Sequence, residues 1–596
     1  MDNQKQTAFS NKESWSILLS LFRFAKPYKF LFAFSFLFLA LGSAVAAYLP
    51  IIIQRYIDTY LANGTATMDI TIRVVTFYGV LTILKAVFAY VKDFLFNTAS
   101  ERTVGNIRNQ LYEKVTSLGM RYFDQTPAGT VVSRVTNDTE TIKDFWTVFL
   151  TISTGLFNVL SIAVAMFALN WRMALVFILF TPIIVWIAGI YRKKSTLVYS
   201  RMRKVLSQLN ANLSESISGM SIIQKYNQEK RLIKEFDEVN QEYVATRRSM
   251  YSMNALLLAP AINVIESLAL VIVLLIFGYQ DWNQSAVDIG LVYAFTAYSR
   301  SFFQPISQMM NSLSSLQDGI VSGHRVQELL QSKELAPETD ARSHAEITEG
   351  HIKVSNLNFS YDGKKQVLRN INFEVKPGET VALVGQTGSG KSSIINVLMR
   401  FYDYHDGEIS IDGHSLKDMP VEELRTKMGL VLQDSFLFYG TIADNIHMYS
   451  DKYSKEDVKK AAEFVYADDF ISTMENGYGS KVIERGASLS SGEKQLISFA
   501  RTILRSPKIL ILDEATANID TETEEKIQKG LSNMRKNRTS LIIAHRLSTI
   551  KDADQILVLN DGEIVEQGTH DELISKEGTY YDMYQLQTYQ EKTGDL

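Results

Sequence analysis

The sequence lacks several residue types that would otherwise define its chemistry. Cysteine is absent from all 596 residues, and only eight histidines occur, without metal-ligand spacing. The absence of cysteine excludes disulfide bonds, thiolate chemistry and zinc sites with cysteine ligands. A strong net charge is also lacking, because 61 basic and 65 acidic side chains leave a charge of -4. This balance gives no electrostatic reason to expect nucleic acid as a partner.

The length excludes a single hydrophobic core, so several domains are expected. Long apolar segments lie before about residue 313, and the remainder mixes charge, glycine and short strands as soluble domains do. We expect no cleavable signal before the first long apolar run, because Trp15–Phe24 is short and amphipathic. It predicts a helix that lies on the membrane surface and leads into the first span.

Six apolar segments are long enough to cross a bilayer, which needs roughly 20 apolar residues per helix. They are 30–53, 70–96, 146–169, 172–191, 255–279 and 289–312. Two long stretches, 97–145 and 192–254, are rich in Arg and Lys and keep a helical period, which predicts helical extensions into the cytoplasm. Breaks at 123–129 and 218–219 predict either a short cross-helix or an ordinary turn. An even number of spans places both termini in the cytoplasm.

Charged residues inside spans are costly in a bilayer, which makes them candidate functional residues. Glu266 in the fifth span and Lys85 in the second both lie roughly 20 Å from the outer ends, at about 1.5 Å per residue. Either they form a buried ion pair, or Glu266 faces a water-filled cavity and meets cationic substrates. Tyr298, Phe302 and Met309 in the sixth span are further candidates for this cavity, although such a stripe also suits helix packing.

The most informative stretch is 376–400, where an apolar strand, a glycine-rich turn and a helix follow one another. Its core, GQTGSGKS, fits the phosphate-binding loop pattern G-x-x-x-x-G-K-[ST] at every fixed position. The glycines let backbone N–H groups approach phosphate oxygens, Lys391 offers a charge to the β and γ phosphates, and the Ser392 hydroxyl suits Mg²⁺. The predicted nucleotide ligands are Gly385, Gln386, Thr387, Gly388, Ser389, Gly390, Lys391, Ser392 and Ser393.

Further polar groups follow apolar runs downstream of this loop. One run ends in Asp513 and Glu514, the Walker B arrangement, in which Asp513 acts on Mg²⁺ through water and Glu514 polarises the attacking water. Gln433 follows another run and suits a sensor of Mg²⁺ and water. His545 follows a third and is placed to contact the γ phosphate. These groups predict nucleotide hydrolysis.

One more motif, LSSGEKQ at 489–495, opens a predicted helix. It resembles the LSGGQ signature of ATP-binding cassette (ABC) proteins, which ordinary phosphate-loop ATPases lack. The resemblance covers essentially the whole chain, because the apolar half looks like the six-helix membrane domain of ABC exporters and the soluble half like their nucleotide-binding domain. The sequence is similar to one subunit of the heterodimeric multidrug ABC exporters of Gram-positive bacteria, the one with the catalytic glutamate.

The resemblance implies further roles. Tyr361 would stack on adenine, Gln433 would be the Q-loop residue and His545 the switch histidine. Residues 517–520, with Asp520, would form the D-loop, and 123–129 and 214–223 would match the two coupling helices. In this family two cassettes dimerise head to tail, so each ATP lies between one chain's phosphate loop and the other chain's signature helix.

The implied architecture is multi-domain. An all-α transmembrane domain with an interfacial helix and six membrane helices occupies 1–330, a linker 331–350, an α/β nucleotide-binding domain 351–586 and a polar tail 587–596. The implied cofactors are ATP and Mg²⁺, the latter near Ser392, Gln433 and Asp513. The implied location is the cytoplasmic membrane of a bacterium, with the nucleotide site in the cytoplasm.

The signature departs from the family pattern, because Ser491 replaces a glycine and Glu493 replaces the glutamine. The added Cβ crowds a loop that approaches a phosphate, and the carboxylate repels it by on the order of 4 kcal/mol at about 4 Å and an effective dielectric near 20. Alternatively, Glu493 only caps its own helix, where a carboxylate is favourable. We favour a weakened site, to which this chain contributes Ser490, Ser491, Gly492 and Glu493.

These inferences predict ATP-driven efflux of amphipathic, cationic drugs or lipids by alternating access. The chain would form half of a heterodimer with one competent and one degenerate ATP site. Rival functions are a soluble or chromatin-type cassette ATPase, an ATP-gated channel or regulator, and a homodimeric lipid or peptide exporter. The six spans disfavour the soluble ATPase, and the presence of Glu514 and His545 favours a pump over a channel.

Overall fold

A computed structural model of the chain describes residues 11–282, 288–338, 344–513, 521–543 and 550–593. The chain forms two compact units. Unit 1 comprises Met1–Thr116 and Pro127–Ser332, and unit 2 comprises Ser117–Thr126 and Lys333–Leu596. The short segment 117–126, which the order of the sequence places among the membrane helices, therefore belongs to the unit that carries the phosphate loop.

Unit 1 is built from helices. Its long helices are Lys29–Tyr56, Met68–Ser117, Asn137–Leu169, Trp171–Ser218, Glu229–Leu257, Ala259–Trp282 and Ile289–Leu330. Its shorter helical elements are Asn11–Ala25, the 3₁₀ turn Lys26–Tyr28, the π turn Ile57–Leu61, Ala128–Val135 and Met220–Lys225. Long runs of Leu, Ile, Phe and Ala without turn residues favour such elements. The helix predicted at 15–24 is confirmed as part of Asn11–Ala25.

Five of the six predicted membrane spans each lie within one of these helices, and the remaining one, 255–279, is divided at Leu258 between Glu229–Leu257 and Ala259–Trp282. Five helical stretches among the described residues are long and apolar enough to cross a membrane, namely Trp15–Leu61, Met68–Ser117, Ala128–Leu169, Trp171–Ser218 and Glu229–Tyr279. The sixth predicted span, 289–312, is helical within Ile289–Leu330 but is not among those five. Its sequence interleaves serine, glutamine and Arg300 with the apolar residues, which lowers its hydropathy.

Two glycines allow the helices Asn137–Leu169 and Ile289–Leu330 to pack closely along their lengths. A Cβ added at Gly155 would lie 2.9 Å from Met309 Cγ, and one added at Gly319 would lie 2.5 Å from Phe145 Cβ. Real Cβ atoms do not approach other carbon atoms so closely, so a larger residue at either position would require Met309 or Phe145 to shift. The aromatic side chains Phe145 and Trp146 are fully buried beside this contact.

Unit 2 has α/β structure. Its strands are β1 (Ile352–Phe359), β2 (Leu368–Val375), β3 (Thr380–Gly385), β4 (Asp406–Ile411), β5 (His414–Ser415), β6 (Met428–Val431), β7 (Gly440–Thr441), β8 (Lys481–Val482), β9 (Ile509–Asp513), β10 (Thr539–Ile543), β11 (Gln555–Asn560) and β12 (Glu563–Gly568). Its helical elements are Met120–Gln125, Lys391–Leu398, Val421–Lys427, Ile442–His447, Lys455–Phe464, Asp468–Ile471, Gly477–Gly479 (3₁₀), Ser491–Ile503, Thr521–Arg535, His570–Ser575 and Thr579–Thr593.

The strands form a six-stranded sheet in the order β12-β11-β3-β10-β9-β6, a four-stranded sheet in the order β2-β1-β4-β5, and the β7-β8 pair. In the six-stranded sheet β11, β3, β10, β9 and β6 run parallel, and only the edge strand β12 is antiparallel. Strands β3, β9 and β10 are almost wholly buried. Continuous apolar runs are typical of parallel strands covered on both faces, which is why their positions are readable from the sequence.

The segment 117–126 is held to the start of the polar linker. Leu118 forms a β-bridge with Leu335, the Gly119 N–H donates to the Glu334 carbonyl at 3.0 Å, and the Ala336 N–H donates to the Ser117 carbonyl at 3.0 Å. A Cβ at Gly119 would lie 2.8 Å from the Leu335 carbonyl oxygen, so glycine permits this approach. These bonds place the helix Met120–Gln125 in unit 2.

Candidate functional site

The parallel strands bring the predicted nucleotide ligands to one edge of the six-stranded sheet. Leu383 of β3 pairs with Ile543 of β10, Ile543 pairs with Asp513 of β9, and Leu512 pairs with Val431 of β6. Because the carboxyl ends of parallel strands meet at the same edge, the phosphate loop after β3, Asp513 at the end of β9 and Gln433 after β6 share that edge. Ligands of open α/β sheets bind at such edges.

The phosphate loop requires glycine at two positions for different reasons. Gly385 leaves no room for a side chain, because a Cβ would lie 2.4 Å from the Leu559 carbonyl oxygen and 2.7 Å from Ser389 Oγ. Gly390 has φ of 107°, in the left-handed region, and directly precedes the helix Lys391–Leu398. Ser389 is buried, and its Oγ has no hydrogen-bond partner among the described residues. An unpartnered hydroxyl inside a glycine-rich cradle fits a loop that binds a polar ligand.

Lys391 is buried with its ammonium group turned onto the loop. Its Nζ donates to the Gly385 carbonyl at 2.6 Å and to the Gln386 carbonyl at 3.0 Å. Burial lowers the pKa of Lys391, and the negative charge of Asp513 partly opposes this shift. The loop lysine and the Walker B aspartate, which belong to two distant motifs of the sequence, are therefore close enough in the structure to influence each other's charge.

The remaining predicted ligands lie at the same edge of the six-stranded sheet, which we call the phosphate edge, and they are accessible to solvent. Ser392, Gln386 and Thr387 are exposed, and so is Gln433. Among the described residues no cluster of three or more His, Asp or Glu side chains is arranged to hold a metal by itself. The available oxygen donors, Ser392 and Asp513 beside a loop for phosphates, fit Mg²⁺, which keeps several waters and takes few protein ligands.

Tyr361 lies half-buried beside the helix that follows the loop. Its hydroxyl donates to Ser393 Oγ at 3.0 Å and accepts from Asn396 Nδ2 at 3.1 Å. The ring meets Phe359 edge to face, with 4.8 Å between centroids. Tyr361 is thereby fixed to the same helix as the phosphate ligands, which suits a base-stacking role.

A partly buried arginine, which no motif of the sequence identifies, holds the segment after Gln433. Arg501 Nε donates to the Asn445 carbonyl at 2.8 Å, and Nη1 donates to the Phe436 carbonyl at 3.0 Å. Asn445 is fully buried and exchanges hydrogen bonds of 2.8 and 2.9 Å with the backbone of Phe438. Because Arg501 belongs to the signature helix Ser491–Ile503, it ties that helix to the Q-loop. An arginine within the apolar run LISFARTIL is the signal that was available in the sequence.

The altered signature forms a helix cap. The Glu493 N–H donates to Ser490 Oγ at 3.2 Å, and the Ser490 N–H donates to the Glu493 carboxylate at 2.8 Å. This reciprocal pair is a capping box at the start of Ser491–Ile503. Gly492 is buried, whereas Ser490 and Ser491 are exposed. The capping role considered for Glu493 is therefore present in the structure.

In unit 1 the structure separates two residues that the sequence analysis considered as a pair. Lys85 is exposed and Glu266 is partly buried, and the ion pairs of the described residues do not join them. The alternative of a buried Glu266–Lys85 ion pair is therefore wrong for this structure. Equal depth along two helices does not mean that the two side chains point toward each other.

The aromatic candidates for a substrate cavity lie in the interior of unit 1. Tyr298 is fully buried and its hydroxyl donates to the Ala47 carbonyl at 2.5 Å. Phe302 is 2% exposed and packs edge to face on Phe303 and Phe177. Met309 is partly buried against Gly155. This arrangement favours the packing alternative for Tyr298 and Phe302.

Three predicted site residues, Glu514, Asp520 and His545, lie outside the described residues. Glu514 directly follows Asp513 in the sequence, and His545 follows Ile543 by two positions. Their assigned roles stay predictions.

Comparison with known proteins covers both units. The chain matches the model of the ABC transporter transmembrane region over residues 32–306 and that of the ABC transporter over 368–517. Similar proteins include a putative ABC transporter ATP-binding protein, exp8, of Streptococcus pneumoniae, which is 44% identical over 97% of this chain and 98% of its own. A probable multidrug resistance ABC transporter ATP-binding/permease protein, YheH, of Bacillus subtilis is 43% identical over 86% of this chain and 76% of its own.

More distant relatives share the whole architecture. An ATP-dependent lipid A-core flippase of Vibrio vulnificus is 32% identical over 97% of this chain and 99% of its own. The solved structure of a bacterial Atm1-family ABC exporter with ATP bound superposes with a TM-score of 0.78 at 27% identity, covering 94% of this chain and 98% of that one. These matches confirm the predicted fold class of a helical membrane domain fused to an α/β phosphate-loop domain, and they exclude the soluble cassette ATPase. The chain belongs to the ABC transporter family, as an exporter half-transporter that couples ATP hydrolysis to transport across a membrane.

Proposed function

We propose that this chain is the hydrolytic half of a heterodimeric exporter of amphipathic, cationic compounds. The observation that carries the proposal is an asymmetry within one nucleotide-binding unit. Its phosphate edge keeps Lys391, Ser392 and Asp513 together, whereas the signature helix that it offers to a partner has a carboxylate in its first turn. The chain is therefore equipped to hydrolyse ATP on its own loop but poorly equipped to complete the site of another chain.

On its own loop, the residues divide the work of hydrolysis. When bound, Mg²⁺ would be held by Ser392 and by water on Asp513 and Gln433, and it would neutralise charge on the phosphates. Lys391 leaves the carbonyls of Gly385 and Gln386 for phosphate oxygens, exchanging two hydrogen bonds of 2.6 and 3.0 Å for charge-assisted ones. Glu514 accepts a proton from the attacking water, and His545 contacts the γ phosphate.

At the site that this chain would complete for a partner, one carboxylate both caps the signature helix and weakens hydrolysis. The Glu493 carboxylate occupies the N-terminus of Ser491–Ile503 and bonds to the Ser490 N–H. A helix N-terminus favours one negative charge, and here the protein supplies it. A γ phosphate arriving at this signature meets a carboxylate where the family has a neutral glutamine. Such a site would hold ATP and hydrolyse it slowly, so a partner with an intact signature is needed for fast turnover.

The cargo is inferred from charge and from the relatives. A carboxylate at Glu266, partly buried in an apolar helix bundle, favours cationic cargo. The name of the Bacillus subtilis relative associates that protein with multidrug resistance. The basic stretches 97–145 and 192–254 support an orientation in the bacterial inner membrane in which the nucleotide-binding unit lies on the cytoplasmic side. Alternating access of a membrane cavity then gives export.

The test compares the chain alone with the chain co-expressed with candidate partners, each purified and reconstituted in lipid. We expect low ATPase activity alone, and high activity stimulated by cationic drugs with the right partner. Robust drug-stimulated turnover by this chain alone would overturn the heterodimer. A matched variant, Ser491→Gly with Glu493→Gln, keeps an acceptor for the Ser490 N–H and removes the Cβ and the charge. It should raise activity at the slow site if the partner's own catalytic residues are intact.

A homodimeric lipid exporter is the second candidate, favoured by the full-length match to a lipid A-core flippase. It predicts that the chain alone hydrolyses ATP and that lipids stimulate it more than cationic drugs. The same ATPase panel, extended to lipid A and phospholipids, distinguishes the two candidates.

A further inference from the structure

Tyr402 lies at the centre of a chain of contacts that the mechanism above does not use. It follows the helix Lys391–Leu398, and its ring is 9% exposed. The ring meets Tyr361 edge to face, with 4.8 Å between centroids and 86° between planes. Such edge-to-face pairs stabilise a structure by more than the burial of their apolar area. The orientation of Tyr402 is therefore coupled to that of the residue expected to stack on adenine.

The backbone beside Tyr402 is fixed by a buried arginine. Arg400 has φ of 53° and is 8% exposed. Its guanidinium donates to the Glu338 carbonyl at 2.9 Å and to the Met419 carbonyl at 3.3 Å. A non-glycine residue keeps a left-handed conformation only where its surroundings fix it, as these hydrogen bonds of Arg400 do. Tyr402 therefore follows a constrained position in the chain.

The other end of Tyr402 reaches the segment 117–126. Its hydroxyl donates to the carboxylate of Asp124, on the helix Met120–Gln125. This segment connects the helices Met68–Ser117 and Ala128–Val135 of unit 1 in the sequence, although it folds with unit 2. Burial, and then the hydrogen bond to Asp124, raises the pKa of Tyr402, which keeps the phenol protonated and able to donate.

We propose that Tyr402 is a positioning residue that couples occupancy of the base site at Tyr361 to the helix Met120–Gln125 through Asp124. The inference rests on the proposed adenine-stacking role of Tyr361. A base on Tyr361 restricts that ring, Tyr361 restricts the ring of Tyr402, and the Tyr402 hydroxyl holds Asp124 in one position. Nucleotide binding thereby reaches the segment that joins the helices Met68–Ser117 and Ala128–Val135 of the membrane unit.

The test uses the full chain, with its partner where one is needed, and measures backbone hydrogen exchange with and without a non-hydrolysable ATP analogue. Tyr402→Phe keeps the ring against Tyr361 and removes the hydroxyl. We expect the analogue to slow exchange at 385–393 in wild type and variant alike. At 117–126 the slowing should be smaller in Tyr402→Phe by at least about fivefold, the low end of typical coupling between sites. Asp124→Ala should do the same, and the double variant no more, because both changes remove one contact.

Tyr404→Phe is the matched control. Tyr404 is buried as well, at 3% exposed against 9% for Tyr402, and its hydroxyl accepts from the Ile409 N–H at 3.2 Å. If Tyr404→Phe reduces protection at 117–126 as much as Tyr402→Phe does, the effect is loss of packing and the proposal is wrong. Equal protection in wild type and Tyr402→Phe would also overturn it. Failure of the proposed function appears separately, as absence of drug-stimulated ATPase in wild type, since the exchange measurement needs neither transport nor hydrolysis.

Kinetics provide a second readout. Tyr402→Phe should keep the KM for ATP within about twofold, because the edge-to-face contact remains, and should lower the amount of cargo moved per ATP hydrolysed. Tyr402→Leu removes the ring as well, so the KM for ATP should rise. A rise in KM for Tyr402→Phe as large as for Tyr402→Leu would contradict the assignment of separate roles to the ring, which contacts Tyr361, and to the hydroxyl, which contacts Asp124.

Discussion

Lys391 illustrates how a single residue keeps a buried charge ready for a ligand. An ammonium group removed from water needs oxygen partners, and two loop carbonyls supply them at 2.6 and 3.0 Å. The loop that will bind phosphate therefore first binds its own lysine. Because these partners are neutral carbonyls, a phosphate displaces them readily, and the lysine is a better partner for the ligand than for the protein.

We expect Lys391→Met and Glu514→Gln to separate binding from hydrolysis. Lys391→Met keeps the length of the side chain and removes the charge, so ATP affinity should fall by at least about tenfold, while the stability of the protein changes little because no buried charge is left unpaired. Glu514→Gln keeps the shape and removes the base, so hydrolysis should fall by about 10²–10⁴-fold with ATP affinity preserved. Fluorescence titration with an ATP analogue and steady-state ATPase assays measure the two effects. Near-normal turnover in Glu514→Gln would remove its assigned role.

At the scale of elements, the signature helix Ser491–Ile503 does two tasks at its two ends. Its first turn carries the capping box of Ser490 and Glu493, and its last turn carries Arg501, which holds the segment after Gln433 through Asn445 and Phe436. In the proposed heterodimer, the helix therefore connects the surface that would meet the partner's ATP with the Q-loop of the chain's own site. A rigid element with one end at each site is a physical route for coupling between them.

Replacing Arg501 should loosen this element at the Q-loop end. Arg501→Lys keeps the charge but loses the fork that bonds to Asn445 and Phe436 together, so we expect a loss of about 1.5–3 kcal/mol in the free energy of unfolding. Hydrogen exchange at 433–441 should become faster, with ATP affinity at the phosphate loop retained. Thermal unfolding and exchange of the full chain measure both effects. Arg505→Lys, at an exposed arginine nearby, is the control, and equal effects of the two variants would contradict the assignment.

The same elements show what the sequence predicts and what it does not. Continuous apolar runs identify β3, β9 and β10, and polar residues at their ends identify the phosphate edge, because parallel strands impose their order on whatever follows them. The contact between Asp124 and Tyr402 joins residues 278 positions apart, and no local pattern indicates it. The stripe that contains Tyr298 likewise suited a cavity or helix packing, and the sequence does not indicate which neighbour covers this residue, so its hydrogen bond to the Ala47 carbonyl was not predictable.

At the scale of the whole molecule, the membrane unit contains charged residues within its predicted spans. Glu266 on Ala259–Trp282 is partly buried, and Lys85 on Met68–Ser117 is exposed. An ionisable side chain is costly in an apolar bundle and is therefore a candidate functional residue. In the proposed exporter of cationic compounds, the cargo itself would supply a compensating charge.

Glu266→Gln should therefore change which cargo the transporter selects. Removing the charge should lower transport of cationic compounds by about tenfold, equivalent to roughly 1.4 kcal/mol, while neutral compounds of similar size are moved as before. Uptake of matched cationic and neutral dyes into inverted vesicles, at equal amounts of protein, measures the ratio. Lys85→Gln is the control, since an exposed lysine with no bond to Glu266 should leave the ratio unchanged. Equal losses for both dyes in Glu266→Gln, or the same shift in Lys85→Gln, would show that the carboxylate stabilises the bundle and does not select cations.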